Sequence, residues 1–234
     1  MRSVGRSYIG AYWGARQEPV EQCADRLERC LRGLRDLDPS LSTWFKPAAS
    51  RKSANEPVDV DPVALVELLL AGRNRTDFGN RVIERLGFEV SMWNGAEPSI
   101  GLSAAVGAYP LQPTILNNFL LRLPSPDEGA GSIYEPQTAE QLFRIAVESW
   151  SPEWATWTTR TFRRAQDSEK ALPVVGWLTY LSGAHPVELP VGSAEPFHDG
   201  VLVKVSDRHE DATLDKVLLA RDALASGGSL TPID

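Results

Sequence analysis

An α+β fold, with mostly antiparallel strands packed against about four helices in a single globular domain, is what this sequence predicts. Three observations predict it. Strand-like segments occur in adjacent runs, which argues against a doubly wound parallel sheet. Helical periodicity is confined to a few separated segments. The chain has 234 residues, 42% hydrophobic and 24% charged, an ordinary globular composition with length for a sizeable core. The expected unit is the whole chain, 1–234, with a two-lobe division into 1–124 and 132–234 as its internal organisation.

Ser7 to Trp13 has the aromatic and β-branched character of a strand and ends at Gly14. Pro19 suits a first helical turn. Val20, Cys23, Ala24, Leu27, Cys30, Leu31 and Leu34 then repeat at helical spacing, until Asp38-Pro39 stops the helix. Leu41 to Phe45 reads as a second strand and 47–58 as a polar surface loop. Asp61-Pro62 starts a helix that runs to Ala71. It is apolar almost all round, so deep burial is expected. A helical turn at Val82 to Leu86 precedes strands at Phe88 to Trp93, Ile100 to Ala108 and Ile115 to Leu123, which make a natural antiparallel meander.

Pro124 to Gly131 connects the halves. Thr138 and Gln141 match a capping box, opening a helix that ends near Ser151-Pro152. Residues 153–166 fit either state, because Trp154, Trp157 and Arg160 suit a helix and the threonines a strand. Val174 to Leu181, Val187 to Leu189 and Gly200 to Ser206 read as strands. Asp211 is the expected cap of a last helix carrying Leu214, Val217, Leu218 and Leu224, closed by Gly227-Gly228.

The formal charge is −7 and unevenly placed, since residues 125–234 hold 17 Asp+Glu against 9 Lys+Arg. Such a half repels phosphate backbones, which disfavours nucleic-acid binding. It suits either a basic protein partner or simple solubility. The N-terminus lacks a signal-peptide h-region, and no apolar run approaches the roughly 20 residues that span a bilayer. Cys23 and Cys30 sit about 10.5 Å apart along one helix, too far for a disulfide. They read as small core residues in a reducing compartment.

Motifs of catalysis are missing. There is no G-x-x-x-x-G-K-[ST] phosphate loop, no G-x-G-x-x-G turn and no G-x-S-x-G elbow. The two cysteines have no neighbouring histidine and make no zinc pattern. His198-Asp199 and His209-Glu210-Asp211 pair an imidazole with carboxylates, as a general base or metal site would. The competing reading is a turn at His198 and a solvated helix cap at His209. Trp13, Trp44, Trp93 and Trp177 fall in strands, where core packing is expected. Trp150, Trp154 and Trp157 lie close together, and an exposed one would suit a protein interface.

The run Tyr8-Ile9-Gly10-Ala11-Tyr12-Trp13-Gly14 resembles the opening strand of the bacterial immunity protein 52 family. So do Asp38-Pro39-Ser40 leading to Trp44-Phe45, Gly72-Arg73-Asn74-Arg75 with Asp77, Leu86-Gly87-Phe88 leading to Met92-Trp93-Asn94, and Val175-Gly176-Trp177-Leu178-Thr179-Tyr180-Leu181. These segments span most of the chain. The resemblance implies a cytoplasmic protein without enzymatic activity or cofactor. It would bind and neutralise a nuclease-type polymorphic toxin used in interbacterial competition, type VI secretion included. It transfers no inhibitory residue by position. Charge suggests Glu195, Asp199, Asp207, Glu210, Asp211 and Asp215 as toxin-facing, with Trp154 and Trp157 as aromatic anchors. The alternatives are a small-molecule-binding module and a small hydrolase using His198 or His209.

Overall fold

Alternation along Ser7–Trp13 organises the architecture. The computed structural model describes residues 6–47, 56–111, 117–166 and 172–232. In it, this segment is strand β1, in the interior of an eight-stranded sheet. Ile9, Ala11 and Trp13 are buried on one face, and Tyr8 and Tyr12 are half-buried on the other. β1 pairs with β4 (Asn117–Arg122) on one side and β5 (Trp154–Thr159) on the other. β2 (Phe88–Trp93) and β3 (Gly101–Val106) complete a meander with β4. Beyond β5 come β6 (Leu178–Ser182), β8 (Gly200–Lys204) and the edge strand β7 (Ser193–Phe197). The order is β2-β3-β4-β1-β5-β6-β8-β7 and these strands pair antiparallel, so both halves of the chain share a continuous sheet.

Three helices cover the Ile9 face. They are α1 (Val20–Leu37), α2 (Pro62–Ala71) and α3 (Pro136–Trp150). α1 turns Cys23, Ala24, Leu27, Cys30, Leu31 and Leu34 inward, the stripe its spacing predicts. The opposite face is covered unevenly. β6 and β8 are apolar on both sides: Leu178, Tyr180 and Leu202 join the main core, and Leu181, Val201 and Val203 form a second cluster with Val217, Ala220 and Leu224 of α5 (Leu214–Ser226). A strand apolar on both faces requires cover on both. β1, β4 and β3 carry Tyr8, Tyr12, Arg122 and Ser103 on this side, and α5 does not extend over them. The short α4 (Arg160–Ala165) borders this open area.

Local hydrogen bonding moves several boundaries from their expected places. Leu41 to Phe45 is not a strand. Asp38 accepts from Ser40 N at 2.8 Å and folds Pro39–Leu41 into a 3-10 turn, leaving only single bridges from Phe45 to Pro57 and Trp93. α3 begins at Pro136, so Thr138 lies inside its first turn and caps nothing. Residues 153–166 hold a strand followed by a helix, divided at Thr159, whose hydroxyl accepts from Phe162 N. Val187 to Leu189 is irregular, and the strand lies later, at the more polar Ser193–Phe197. Thr213 caps α5 where Asp211 was expected, because His209–Asp211 form a 3-10 turn. α2 buries only Leu65 and Leu69, leaving Val63 67% exposed. Residues 48–55 of the expected loop, and Ile115 and Leu116 of the expected strand, lie outside the described residues.

Candidate functional site

The acidic residues of the C-terminal half divide into three settings. Glu195 on β7 takes Arg144 at 3.0 Å and Lys204 at 3.4 Å. Glu140 on α3 meets the same two cations at 2.7 and 3.0 Å. Two anions and two cations thus neutralise one another. Burial opposes ionisation of Glu140, but the hydrogen bonds from Lys204 and Arg144 prevail and hold its carboxyl below the usual range. Asp199 occupies the β7–β8 turn, accepting from the Tyr180 hydroxyl and from Ser182 Oγ at 3.1 Å, with His198 Nδ1 at 2.8 Å. Tyr180 first, and His198 next, bring its pKa down to about 2.

Asp207, Glu210, Asp211 and Asp215 form the third setting. They are exposed along the stretch that leaves β8 and enters α5, at the opposite end of β8 from Asp199. Glu210 pairs with Arg208 at 3.0 Å. The carboxylates of Asp207, Asp211 and Asp215 have no ion pair among the described residues. Asp215 lies in the first turn of α5, where the helix dipole favours its charge.

His198 and His209 are not brought together. His198 is in the hairpin turn with a left-handed φ of 53°. His209 is not a solvated cap. The 3-10 turn points it into an aromatic wall, with ring centroids 4.7 Å from Tyr134, 5.0 Å from Trp177 and 6.4 Å from Trp157. Its Nδ1 has no hydrogen-bond partner among the described residues, and burial pulls its pKa down to about 4. Among the described residues no carboxylate orients that ring, so they do not assemble the base-with-acid arrangement at His209. Among the described residues, no group of three or more His, Cys, Asp or Glu could hold a metal ion. Cys23 and Cys30 are buried, and burial raises both thiols to about 12, which keeps them from acting as thiolates.

The two candidate aromatic anchors face opposite sides of β5, three residues apart. Trp157 belongs to the core. It is 0% exposed and donates Nε1 to Ser7 Oγ at 2.9 Å, so the surface role expected of it is corrected. Trp154 is half-buried on the other side, stacked on Tyr12 with centroids 4.3 Å apart.

Sequence reading missed a cleft of about 740 Å³ on the open face of the sheet. Tyr8, Tyr12 and Leu120 contribute to its floor, and Arg6, Arg122, Arg160 and Arg163 line it, with no carboxylate among the described lining residues. Arg6 reaches Glu128 at 3.5 Å, and Arg122 donates to Ser103 Oγ at 3.2 Å. Burial, and then Tyr8, push the Tyr12 hydroxyl well above its ordinary pKa, so it stays neutral. The signal was the alternation Tyr8-x-Gly10-x-Tyr12 against Leu120-x-Arg122. It becomes a site only once the pairing of Tyr8 with Arg122 is known. Arg160 and Arg163 share α4, but Arg6 and Arg122 come from distant parts of the chain, and no linear charge count gathers all four.

No described helix is long and apolar enough to cross a membrane. Comparison with known proteins places the sequence and the fold together. The model of a family described as Immunity protein 52 matches residues 6–226. No curated protein matches the chain. Among solved structures, the Pseudomonas aeruginosa T6SS protein PA0821 has a similar fold, with a TM-score of 0.52 at 14% identity, over 94% of this chain and 75% of that one.

Proposed function

Because this chain belongs to the immunity protein 52 family, we propose that it neutralises a cognate secreted toxin by binding it, and that the toxin is a nuclease. The family match carries the immunity reading. The nuclease reading is supported by the exposed carboxylates of Asp207, Asp211 and Asp215, which no described cation neutralises. A nuclease presents positive charge where it holds phosphates, and an inhibitor with exposed acids is steered toward that surface. Action in the cytoplasm belongs to the same reading, because a nuclease must be stopped where its nucleic acid is. The fold resembles a protein named for the T6SS, which is compatible with a toxin delivered between cells.

Co-expression tests this directly. The chain, tagged, is produced with the toxin encoded beside its gene. We expect a stoichiometric complex, loss of the toxin's nuclease activity and rescue of growth. Failure to co-purify, with the toxin shown to be present, overturns the immunity reading. A complex with a toxin that leaves DNA and RNA intact overturns only the nuclease assignment.

A further inference from the structure

We propose that the arginine-lined cleft on the open sheet face receives an acidic polypeptide segment of the toxin, as a second contact beside the carboxylates at 207–215. The inference rests on the toxin-binding reading and adds the chemistry of the partner at a site with positive charge. The chain as a whole is at −7, yet this cleft gathers Arg6, Arg122, Arg160 and Arg163 around about 740 Å³, and there is no Asp or Glu among the described residues that line it. Within the described chain, Arg6 is partly offset by Glu128, and Arg122 has a neutral serine as its hydrogen-bond partner. Concentrated cations on a net acidic protein form a local field of opposite sign, and a concave wall focuses it.

The cleft floor selects among anions. Tyr8, Tyr12 and Leu120 supply apolar and phenolic surface between the guanidinium groups. An acidic peptide with interspersed apolar side chains satisfies both, because Arg binds carboxylates through paired N–H donors. Single-stranded nucleic acid stacks successive bases on aromatic faces, and the Tyr12 ring is already covered by Trp154, which leaves Tyr8 alone in the floor for that role.

Position also fits a single partner. Ser7 pairs with Thr159, Trp157 with Leu178, and Leu178 with Lys204. The start of β1, the end of β5 and the end of β8 therefore lie at one end of the sheet. Arg6 and Arg160 border the cleft there, and the exposed stretch from Asp207 begins there. One toxin can contact both surfaces.

The test uses the full chain and the catalytically inactivated toxin encoded beside its gene. Affinity is measured by calorimetry in 50 and 300 mM salt for wild type, for Arg122→Glu with Arg160→Glu, and for the milder Arg122→Gln with Arg160→Gln. Thermal melting verifies that each variant folds. We expect wild-type binding, about tenfold or greater weakening in the Glu pair, a smaller loss in the Gln pair, and a reduced salt dependence in both. Equal affinity of wild type and both folded variants overturns this proposal and leaves the toxin-binding reading standing. Absence of wild-type binding overturns both. A labelled oligothymidylate that binds wild type and not the Glu pair, with toxin affinity unchanged, reassigns the cleft to nucleic acid.

Discussion

His209 meets Trp177 nearly edge-on, with ring centroids 5.0 Å apart and an interplanar angle of 78°. The contact is part of a buried aromatic wall completed by Tyr134 and Trp157, and burial there depresses the imidazole pKa from 6.5 to about 4. The unfolded chain therefore takes up this proton at higher pH than the folded one. The stability contribution is complete above pH 6.5 and is lost as pH falls toward 4. Between pH 7.5 and 5 the loss from this group is about 2 kcal/mol. His209→Phe keeps an aromatic ring in the wall and cannot be protonated. Urea unfolding at the two pH values should show a drop in wild type larger by that amount than in the variant. Equal drops would mean that the ring is not held neutral.

Ser7 is a second point where one small side chain supports large ones. Its hydroxyl accepts from Trp157 Nε1 at 2.9 Å and lies 2.8 Å from the Tyr134 hydroxyl, which also donates to the carbonyl of Pro124 at 2.6 Å. Ser7→Ala leaves the buried indole N–H without its acceptor, at a cost of about 1–3 kcal/mol. A melting temperature several degrees below wild type is the expected result. An unchanged one would show that another group takes over the Trp157 N–H.

The two populations of carboxylates should respond differently to charge reversal. Asp207→Lys, Asp211→Lys and Asp215→Lys together remove exposed charge and one favourable helix-terminus interaction. Stability should fall by only about 0.5–1 kcal/mol, while association with the toxin slows, most visibly at low salt. Glu195→Lys instead places a third cation beside Arg144 and Lys204. These groups are partly solvent-screened, so the expected stability loss is about 1 kcal/mol, with little change in association rate. Stopped-flow mixing at two salt concentrations, paired with thermal melts, separates the two effects. Reversal of 207, 211 and 215 without any change in association rate removes these residues from the interface.

Periodicity made β1, α1 and the β2–β3–β4 meander legible, because each keeps one apolar face against a shared core. It also placed Leu181, Val201 and Val203 in strands. What it could not supply was the second side of the sheet. β6 and β8 are covered there by α5, and β1 and β4 are open, a difference set by which strands become neighbours. The same limit applies to the site. Glu195 and Asp207 look alike in a charge count, but Glu195 is matched by cations from α3 and β8, and Asp207 has no cation partner among the described residues. His209 looked solvated because Glu210 and Asp211 follow it. The 3-10 turn separates their directions, inward for the imidazole and outward for the acids. The elements that escaped reading, Ser193–Phe197 and the Pro39–Leu41 turn, are short and governed by a partner strand and by the Asp38 side chain.

Gly10 connects the opening motif to the cleft. A Cβ at this position would lie 2.5 Å from the Tyr12 hydroxyl oxygen and 2.7 Å from its ring carbons. The far end of the tyrosine therefore lies over the glycine, and Trp154 stacks on the ring at 4.3 Å. Absence of a side chain at residue 10 is what lets the ring occupy the floor. Gly10→Ala should force Tyr12 away, because the new methyl group would lie within 2.7 Å of the ring's far end. The backbone can accept the methyl group, since Gly10 is an ordinary strand residue without a positive φ. The expected stability loss is therefore modest, about 0.5–1.5 kcal/mol for the disrupted aromatic stack. The diagnostic readout is near-ultraviolet circular dichroism, where the Tyr12–Trp154 couple should lose intensity in the folded variant. Tyr12→Phe keeps the stack and should retain that signal. A Gly10→Ala spectrum identical to wild type would show that the ring has room to spare and that glycine is not required there for Tyr12.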